Sequence, residues 1–409
     1  MKDSRRAFIK KSTTLASALT AGGLAARAAG LAFPPHSAHS LPIPVPPDHS
    51  AVASDIGRSL ERPLTAETRD FVRDAGMQMS EAYFDGFNQH KIALCKQMDV
   101  LGAVAGINPK MIGLNDAKPW DLPVIQAVKN AWDNEGLTLR VIEGPPALGE
   151  KTKLGLEGRD EEIANFITFM HNIAKAGIDT ICYNWMPVIG WYRTDNQKRG
   201  RGGALVTAFD NDAIKDAPPT QYGQVSKEQL WKTLEYFLKA VVPEAEKAGV
   251  KLAMHPDDPQ VDQIRGISRI MTTVDNFKRM LDLYPSPNNG ITMCQGNFSL
   301  MGVDIPATVR DLGARKCIHF VHFRNVRGGK FKFEECFHDE GQIDMYEAMK
   351  AYYDIGFKGP IRPDHVPTMA EDSNSFPGYS TIGVLYANGY IRGLMESVSK
   401  AAAHQQNNR

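Results

Sequence analysis

Lys251-Leu252-Ala253-Met254 reads as a short β-strand, and it ends on His255-Pro256-Asp257-Asp258. The same grammar recurs three times further along. Ile291-Thr292-Met293 ends on Cys294-Gln295-Gly296-Asn297, Ile318–Val321 on His322-Phe323-Arg324-Asn325, and Gly359-Pro360-Ile361 on Arg362-Pro363-Asp364-His365. Each strand thus finishes on residue types that bind divalent metals. In a parallel α/β barrel the strand C-termini converge on one face, so positions far apart in sequence can meet around one ion.

Working outward, short apolar runs alternate with longer amphipathic stretches from Phe71 onward. Strands are expected at Val100–Ile107, Leu137–Ile142, Asp179–Tyr183, Val250–Met254, Gly290–Met293, Ile318–His322 and Gly359–Arg362, with a weaker first strand near Met77–Tyr83. Helices are expected at Asp160–Ala176, Lys227–Lys247, Val274–Leu283 and Met345–Tyr353. In the first of these, Ile163, Phe166, Ile167, Met170 and Ile173 mark one helix face. Strand–helix alternation implies βαβ units, and about eight strands predict a closed (β/α)8 TIM barrel. No GxGxxG follows an early strand, which argues against a doubly wound dinucleotide-binding sheet. Tyr192–Tyr222, rich in Gly, Asp and Arg, reads as a lid-like insertion after strand four.

Composition narrows the function classes. At 409 residues, 43% hydrophobic and 23% charged, the chain has the make-up of a globular enzyme. Lys+Arg and Asp+Glu balance at 47 each, and no basic stripe interleaved with aromatics appears, so nucleic acid and anionic lipid are not expected partners. The five cysteines include no CxxC pair, and the odd count argues for buried thiols rather than a disulfide framework.

The N-terminus reads as an address. Ser4-Arg5-Arg6-Ala7-Phe8-Ile9-Lys10 precedes a weakly apolar Ala/Gly/Leu/Thr run, as in a twin-arginine export signal spanning residues 1–32. That run is too polar for a stable membrane span. Residues 33–62, with six prolines between Phe33 and Pro47, read as a linker. The catalytic domain is expected over residues 63–400, with a disordered tail at 401–409. The expected location is periplasmic, and the expected partners are the twin-arginine machinery, a small-molecule substrate and further copies of the chain in a homo-oligomer.

The strand ends supply the candidate site. His255 follows its strand directly. Cys294 offers a thiolate, and Gly296 lets the backbone turn behind it. His319 and His322 are three apart, so they point to opposite faces of a strand; His322, nearer the C-terminal end, is the candidate ligand. Asp364 offers a hard oxygen, His365 is the acid/base candidate, and Arg362 could clamp a carboxylate. Each residue also has a plain structural reading: a capped histidine, a core thiol, a helix-capping carboxylate, a barrel-wall ion pair. The concentration at equivalent strand ends favours a catalytic metal centre over a structural zinc site, whose ligands lie close in sequence. On ligand type alone, His, Cys, His and Asp suit Zn²⁺, Fe²⁺ or Co²⁺ better than Mg²⁺ or Ca²⁺.

Longer motifs carry a family resemblance. Thr180-Ile181-Cys182-Tyr183-Asn184-Trp185-Met186-Pro187-Val188 and Trp191-Tyr192-Arg193-Thr194-Asp195 are similar to segments of the bacterial mannonate dehydratases. So are His255-Pro256-Asp257-Asp258-Pro259, His319-Phe320-Val321-His322-Phe323-Arg324-Asn325, Arg362-Pro363-Asp364-His365, Lys153-Leu154-Gly155-Leu156, Asp344-Met345-Tyr346-Glu347 and Pro377-Gly378-Tyr379. The resemblance spans roughly Val141 to Leu394. It implies a xylose-isomerase-like TIM barrel that dehydrates D-mannonate to 2-keto-3-deoxy-D-gluconate with Mn²⁺, or in some members Fe²⁺ or Co²⁺. It implies metal ligation by His255, Cys294, His322 and Asp364, and catalytic roles for His365, Tyr379 and Arg362. Asn184, Arg193, Asp195 and Arg324 are the expected substrate contacts. The chain departs from the family pattern in its first strand, which lacks an aromatic-rich motif, and in the turn Cys294-Gln295-Gly296-Asn297. A metal-dependent sugar isomerase or epimerase on the same barrel is the alternative expectation, and an exported sugar-acid binding protein a more distant one.

Overall fold

The structure, a computed structural model, describes residues 70–407. The export signal and the proline-rich linker lie outside the described residues. In chain order the strands are β1 (Gln78–Ala82), β2 (Gly102–Ala105), β3 (Thr138–Glu143), β4 (Thr180–Tyr183), β5 (Asp195–Arg199), β6 (Leu205–Asp210), β7 (Lys251–Met254), β8 (Gln263–Ile264), β9 (Ile267–Ser268), β10 (Asn289–Cys294), β11 (Ile318–Phe323), β12 (Val326–Gly329), β13 (Lys332–Glu335) and β14 (Pro360–Pro363). The helices are α1 (Phe71–Asp74), α2 (Gln89–Gln97), α3 (Leu122–Asn134), α4 (Glu150–Leu154), α5 (Arg159–Lys175), α6 (Lys227–Ala248), α7 (Val274–Leu283), α8 (Gln295–Leu300), α9 (Ile305–Ala314), α10 (Met345–Asp354) and α11 (Thr381–Asn407).

Eight strands close a parallel barrel in the order β1-β14-β11-β10-β7-β4-β3-β2. Val104, Val141, Cys182, Ala253 and Phe320 form a buried layer of their own, while residues on the other face of a strand, such as Val321 and Phe323 on β11, join the main hydrophobic core. Helix α6 shows how the sequence writes its own limits. The Ser226 hydroxyl caps the Gln229 N–H at 3.1 Å, Leu230, Leu234, Phe237, Val241 and Ala245 bury one face, and Gly249 at φ +70 ends the helix.

All eight expected barrel strands are present. The expected Val100–Ile107 contracts to Gly102–Ala105, because the Val100 N–H is bonded to Cys95 O at the end of α2. The antiparallel strands were not expected. β5 and β6 lie within Tyr192–Tyr222, and with the hairpin β12–β13 they build a second sheet in the order β12-β13-β6-β5. Asp195-Asn196-Gln197-Lys198-Arg199 is almost wholly exposed and shows no apolar alternation, so its strand character comes from pairing alone. The tail also differs from expectation. Residues 401–407, expected within a disordered tail at 401–409, lie in α11, which runs to Asn407. Val384, Ala387, Ile391, Met395 and Val398 bury a stripe at helical spacing, and Asn388 Nδ2 donates to Glu81 Oε2 of β1 at 3.0 Å.

No described helix is long and apolar enough to cross a membrane. All five cysteines are free and buried.

Candidate active site

Register brings the site together before any side chain is considered. Cys294 on β10 pairs with His322 on β11, which pairs with Arg362 on β14, so the three lie level on adjacent strands. His255 follows β7 directly, and its backbone N–H bonds Tyr183 O at the end of β4 at 2.7 Å. The chain turns after β14 at His365, which holds φ +48. Gly378 makes that turn packable: a Cβ there would lie 3.0 Å from His365 Nδ1.

One donor atom each from His255, Cys294 and His322 lies within 4.8 Å of the others. His255 Nε2 faces His322 Nδ1 at 3.2 Å, and Asp364 Oδ2 lies 3.6 Å from both His322 Nδ1 and Cys294 Sγ. The proton positions follow from the partners. His255 Nδ1 sits 2.7 Å from Pro256 O, which can only accept, so Nδ1 carries the hydrogen and Nε2 keeps its lone pair. His322 Nε2 lies 3.4 Å from Glu143 Oε2 without a hydrogen bond, but Arg362 Nη2, which can only donate, lies 3.4 Å from Nδ1 and makes that nitrogen the lone pair too. Two lone pairs, a sulfur and a carboxylate oxygen therefore point at one another. Such a donor set fits a divalent cation and is poorly explained by hydrogen bonding alone.

Around these donors lies a ring of charge. Arg362 Nη1 donates to Asp364 Oδ1 at 2.8 Å, and Arg362 Nη2 to Glu143 Oε1 at 3.0 Å. Tyr379 Oη donates to Asp364 Oδ1 at 3.0 Å, so Oδ1 is engaged and Oδ2 is left for the cluster. Burial raises the Asp364 carboxyl, but His365, Arg362, His322 and Arg324 together hold it well below the usual carboxylate range. Glu143 behaves alike: burial opposes, Arg362 and His322 prevail, and its pKa falls to about 2. Burial pushes the His365 imidazole down to about 4 against the pull of Asp364, and raises the Tyr379 phenol.

Glu143, His255, His322, Arg362, Asp364, His365 and Tyr379 line a cavity of about 260 Å³ with Asn184, Met186, Trp191 and Phe376. Trp191 stacks on the His365 ring, with centroids 5.5 Å apart and planes at 8°. His365 Nδ1 has no hydrogen-bond partner among the described residues. A larger cavity, about 640 Å³, opens at the opposite end of the barrel around the strand starts, with His319 in its wall. That places His319 away from the donor cluster, as its position in β11 requires.

The other expected substrate residues divide. Asn184 lines the cavity. Arg193 and Arg324 do not: both guanidinium groups are buried against carboxylates. Arg193 Nη2 lies 3.0 Å from Asp258 Oδ2 and 2.7 Å from Glu335 Oε1, while Arg324 Nη1 lies 3.0 Å from Asp258 Oδ2 and Nε 2.8 Å from Glu335 Oε2. Arg324 also reaches Cys294 Sγ at 3.5 Å, so it backs the donor cluster from outside the cavity. Asp195 is exposed on β5 and accepts the Gln197 N–H at 2.8 Å. Glu143 is the site residue that the sequence reading passed over. It too ends a barrel strand, the same signal that marked His255.

Comparison with known proteins now decides the family. The sequence model described as D-mannonate dehydratase (UxuA) matches residues 77–222 and 219–405. The chain belongs to the D-mannonate dehydratase family. Mannonate dehydratase 2 of Halalkalibacterium halodurans is 35% identical over 351 residues, covering 79% of this chain and all of that protein. Mannonate dehydratase of Streptococcus uberis is 38% identical over 313 residues, covering 69% of this chain and 88% of its own. The crystal structure of mannonate dehydratase from Streptococcus suis serotype 2 superposes with a TM-score of 0.72 at 33% identity, covering 80% of this chain and 95% of that one. A xylose isomerase domain protein from Planctomyces limnophilus superposes at 0.51 with 13% identity, which places the fold among xylose-isomerase-like barrels and carries nothing further. The D-mannonate dehydratase family is one of metal-dependent hydro-lyases, and His255, Cys294 and His322 form a group of donors that could hold a metal ion in this member.

Proposed function

We propose that this protein dehydrates D-mannonate, or a closely related aldonate, to the 2-keto-3-deoxy acid. The observation that carries the proposal is the clustering of His255, Cys294 and His322, with Asp364 beside them, at the wall of one small cavity that His365, Tyr379 and Arg362 also line, in a chain of this family. His255 Nε2, Cys294 Sγ, His322 Nδ1 and Asp364 Oδ2 are the proposed ligands. The proposed ion is Mn²⁺, with Fe²⁺ or Co²⁺ as substitutes, in line with the family resemblance. Bound there, the ion supplies Lewis-acid polarisation of the substrate carboxylate and 2-hydroxyl.

The chain's own groups perform the proton transfers. His365 has an unpartnered Nδ1 in the cavity wall, and we assign it to remove the C2 proton. Tyr379 carries a hydroxyl hydrogen that it gives to Asp364 in this structure; it is assigned to protonate the departing 3-hydroxyl, which leaves as water. The resulting enol gives up its 2-hydroxyl proton, restoring Tyr379, and takes the proton held by His365 at C3 to become the ketone, so the net change is loss of one water. Arg362 is spent on Glu143 and Asp364, so its role is to fix the two carboxylates rather than to clamp substrate. Trp191, stacked on His365, covers the cavity from the segment after β4, which supports reading that segment as the cover of the site.

The test is product analysis with metal-reconstituted protein. Formation of a 2-keto-3-deoxy acid from D-mannonate supports dehydration. Conservation of substrate mass would instead indicate the isomerase or epimerase alternative. We also propose twin-arginine export to the periplasm, supported by Arg5-Arg6 and the weakly apolar run behind them. Cell fractionation before and after Arg5→Lys/Arg6→Lys substitution tests it.

A further inference from the structure

Helix α4 grips the segment after β4 at two points. Glu150 accepts the Val188 N–H through both carboxylate oxygens, at 2.8 and 2.9 Å, where Val188 holds φ +65. Three residues along the same helix, Lys153 donates from Nζ to Asn184 Oδ1 at 3.1 Å. The helix is itself anchored. Glu162 accepts from the Thr152 N–H and hydroxyl at 2.8 Å each, and Thr233 Oγ1 donates to Lys153 O at 2.7 Å.

Asn184 Oδ1 accepts a second hydrogen bond, from the Met186 N–H at 3.1 Å. An ammonium and a backbone amide can only donate, so both partners require the oxygen on that side. The amide nitrogen is left facing the other way, with no acceptor among the described residues, on a side chain that lines the cavity. We infer that Lys153 is a positioning residue that sets substrate specificity, by locking Asn184 as a hydrogen-bond donor to an acceptor oxygen of the bound sugar acid. The inference rests on the aldonate reading given above. Without Lys153, one of the two restraints on the amide is gone. It can then turn its oxygen inward and accept from a hydroxyl instead. Lys153 is almost fully buried, so it has no evident role at the surface.

The experiment compares wild type with Lys153→Met, Lys153→Arg and Asn184→Asp, each metal-loaded, by steady-state kinetics on D-mannonate and D-gluconate and by calorimetric binding of D-mannonate. Asn184→Asp keeps the acceptor for Lys153 and Met186 but has no donor for the cavity. The expected result is a KM for D-mannonate raised about tenfold or more in Lys153→Met and Asn184→Asp, the loss of one hydrogen bond to substrate. The change in kcat should be smaller, the mannonate/gluconate preference should narrow, and Lys153→Arg should restore part of the loss. A Lys153→Met or Asn184→Asp variant with wild-type KM and preference overturns the inference. So does a variant whose only change is a lower thermal midpoint with proportionally less active protein. If wild type binds D-mannonate without turning it over, and Lys153→Met binds it more weakly, the dehydration reading fails while this inference stands. If wild type neither turns over nor binds aldonates, both fall.

Discussion

His255 Nε2 and His322 Nδ1 face each other at 3.2 Å, the first with Nδ1–H turned to Pro256 O and the second with Arg362 Nη2, a pure donor, at 3.4 Å from Nδ1. Neither has a hydrogen to offer the other, so a cation between them relieves the opposition of their lone pairs. Removing the metal is therefore expected to abolish turnover and to destabilise the fold. By mass action, saturation at about 100 times Kd is worth about 2.7 kcal/mol. Thermal melts of chelated and reconstituted protein check this, and equal midpoints would show that no ion is held here.

Glu143 Oε2 lies 3.4 Å from His322 Nε2, close enough to bias its tautomer electrostatically, and Glu143 is itself held by Arg362. Glu143→Gln keeps the shape but weakens the hold on the tautomer. Loss of such an orienting carboxylate typically lowers metal affinity about 10- to 100-fold. Competition with a fluorescent chelator measures it. Unchanged affinity would mean that Glu143 serves only to pair Arg362.

In the proposed reaction His365 and Tyr379 transfer protons and do not hold the ion. His365→Ala and Tyr379→Phe should each lower kcat by roughly 10²- to 10⁴-fold, the usual range for a lost acid or base, while metal content stays near wild type. Metal analysis beside kinetics separates the roles. A variant that loses metal in proportion to activity has lost a structural support instead.

The barrel and the convergence of the four candidate donors were legible because both depend on local signals: short apolar runs, and a residue of ligating type at or just past the end of each. Cys294 and His322 lie level on neighbouring strands, His255 and Asp364 each follow the last residue of their own strand, and strand ends can be located in a sequence. Partnership across the chain is not local. Nothing near Arg193 or Arg324 announces that Asp258 and Glu335 consume both guanidinium groups, since Arg193 and Glu335 come from opposite halves of the domain. The second sheet was hidden for a similar reason: β5 is polar throughout and becomes a strand only by pairing with β6.

That network makes its own prediction. Arg193, Arg324, Asp258 and Glu335 are all nearly inaccessible to solvent, and two cations balance two carboxylates. Breaking a buried ion pair from one side leaves an uncompensated charge, at a typical cost of about 3–5 kcal/mol. Glu335→Gln should cost stability on that scale, read by denaturant unfolding. A loss under about 1 kcal/mol would show that the remaining carboxylate compensates both arginines.

The last expectation concerns acid. His319, in the wall of the cavity at the far end of the barrel, is buried, and desolvation pushes its pKa from 6.5 down to about 4, with Lys251 adding to the effect. His338 is likewise pushed down to about 4 by burial, although its Nε2 lies 2.7 Å from Phe323 O. Between about pH 6.5 and 4 the unfolded chain binds a proton at each site and the folded chain does not, so stability falls as pH falls through that window. Above pH 6.5 the contribution is fully present, and below about 4 no more is lost. The shift at His319 corresponds to about 3 kcal/mol at most. Unfolding free energies measured from pH 7.5 to 4 should therefore slope downward with acid, and His319→Gln should flatten part of that slope, since the amide does not titrate. If the variant lost as much stability as wild type between pH 6.5 and 4, His319 would not be the group that takes up the proton.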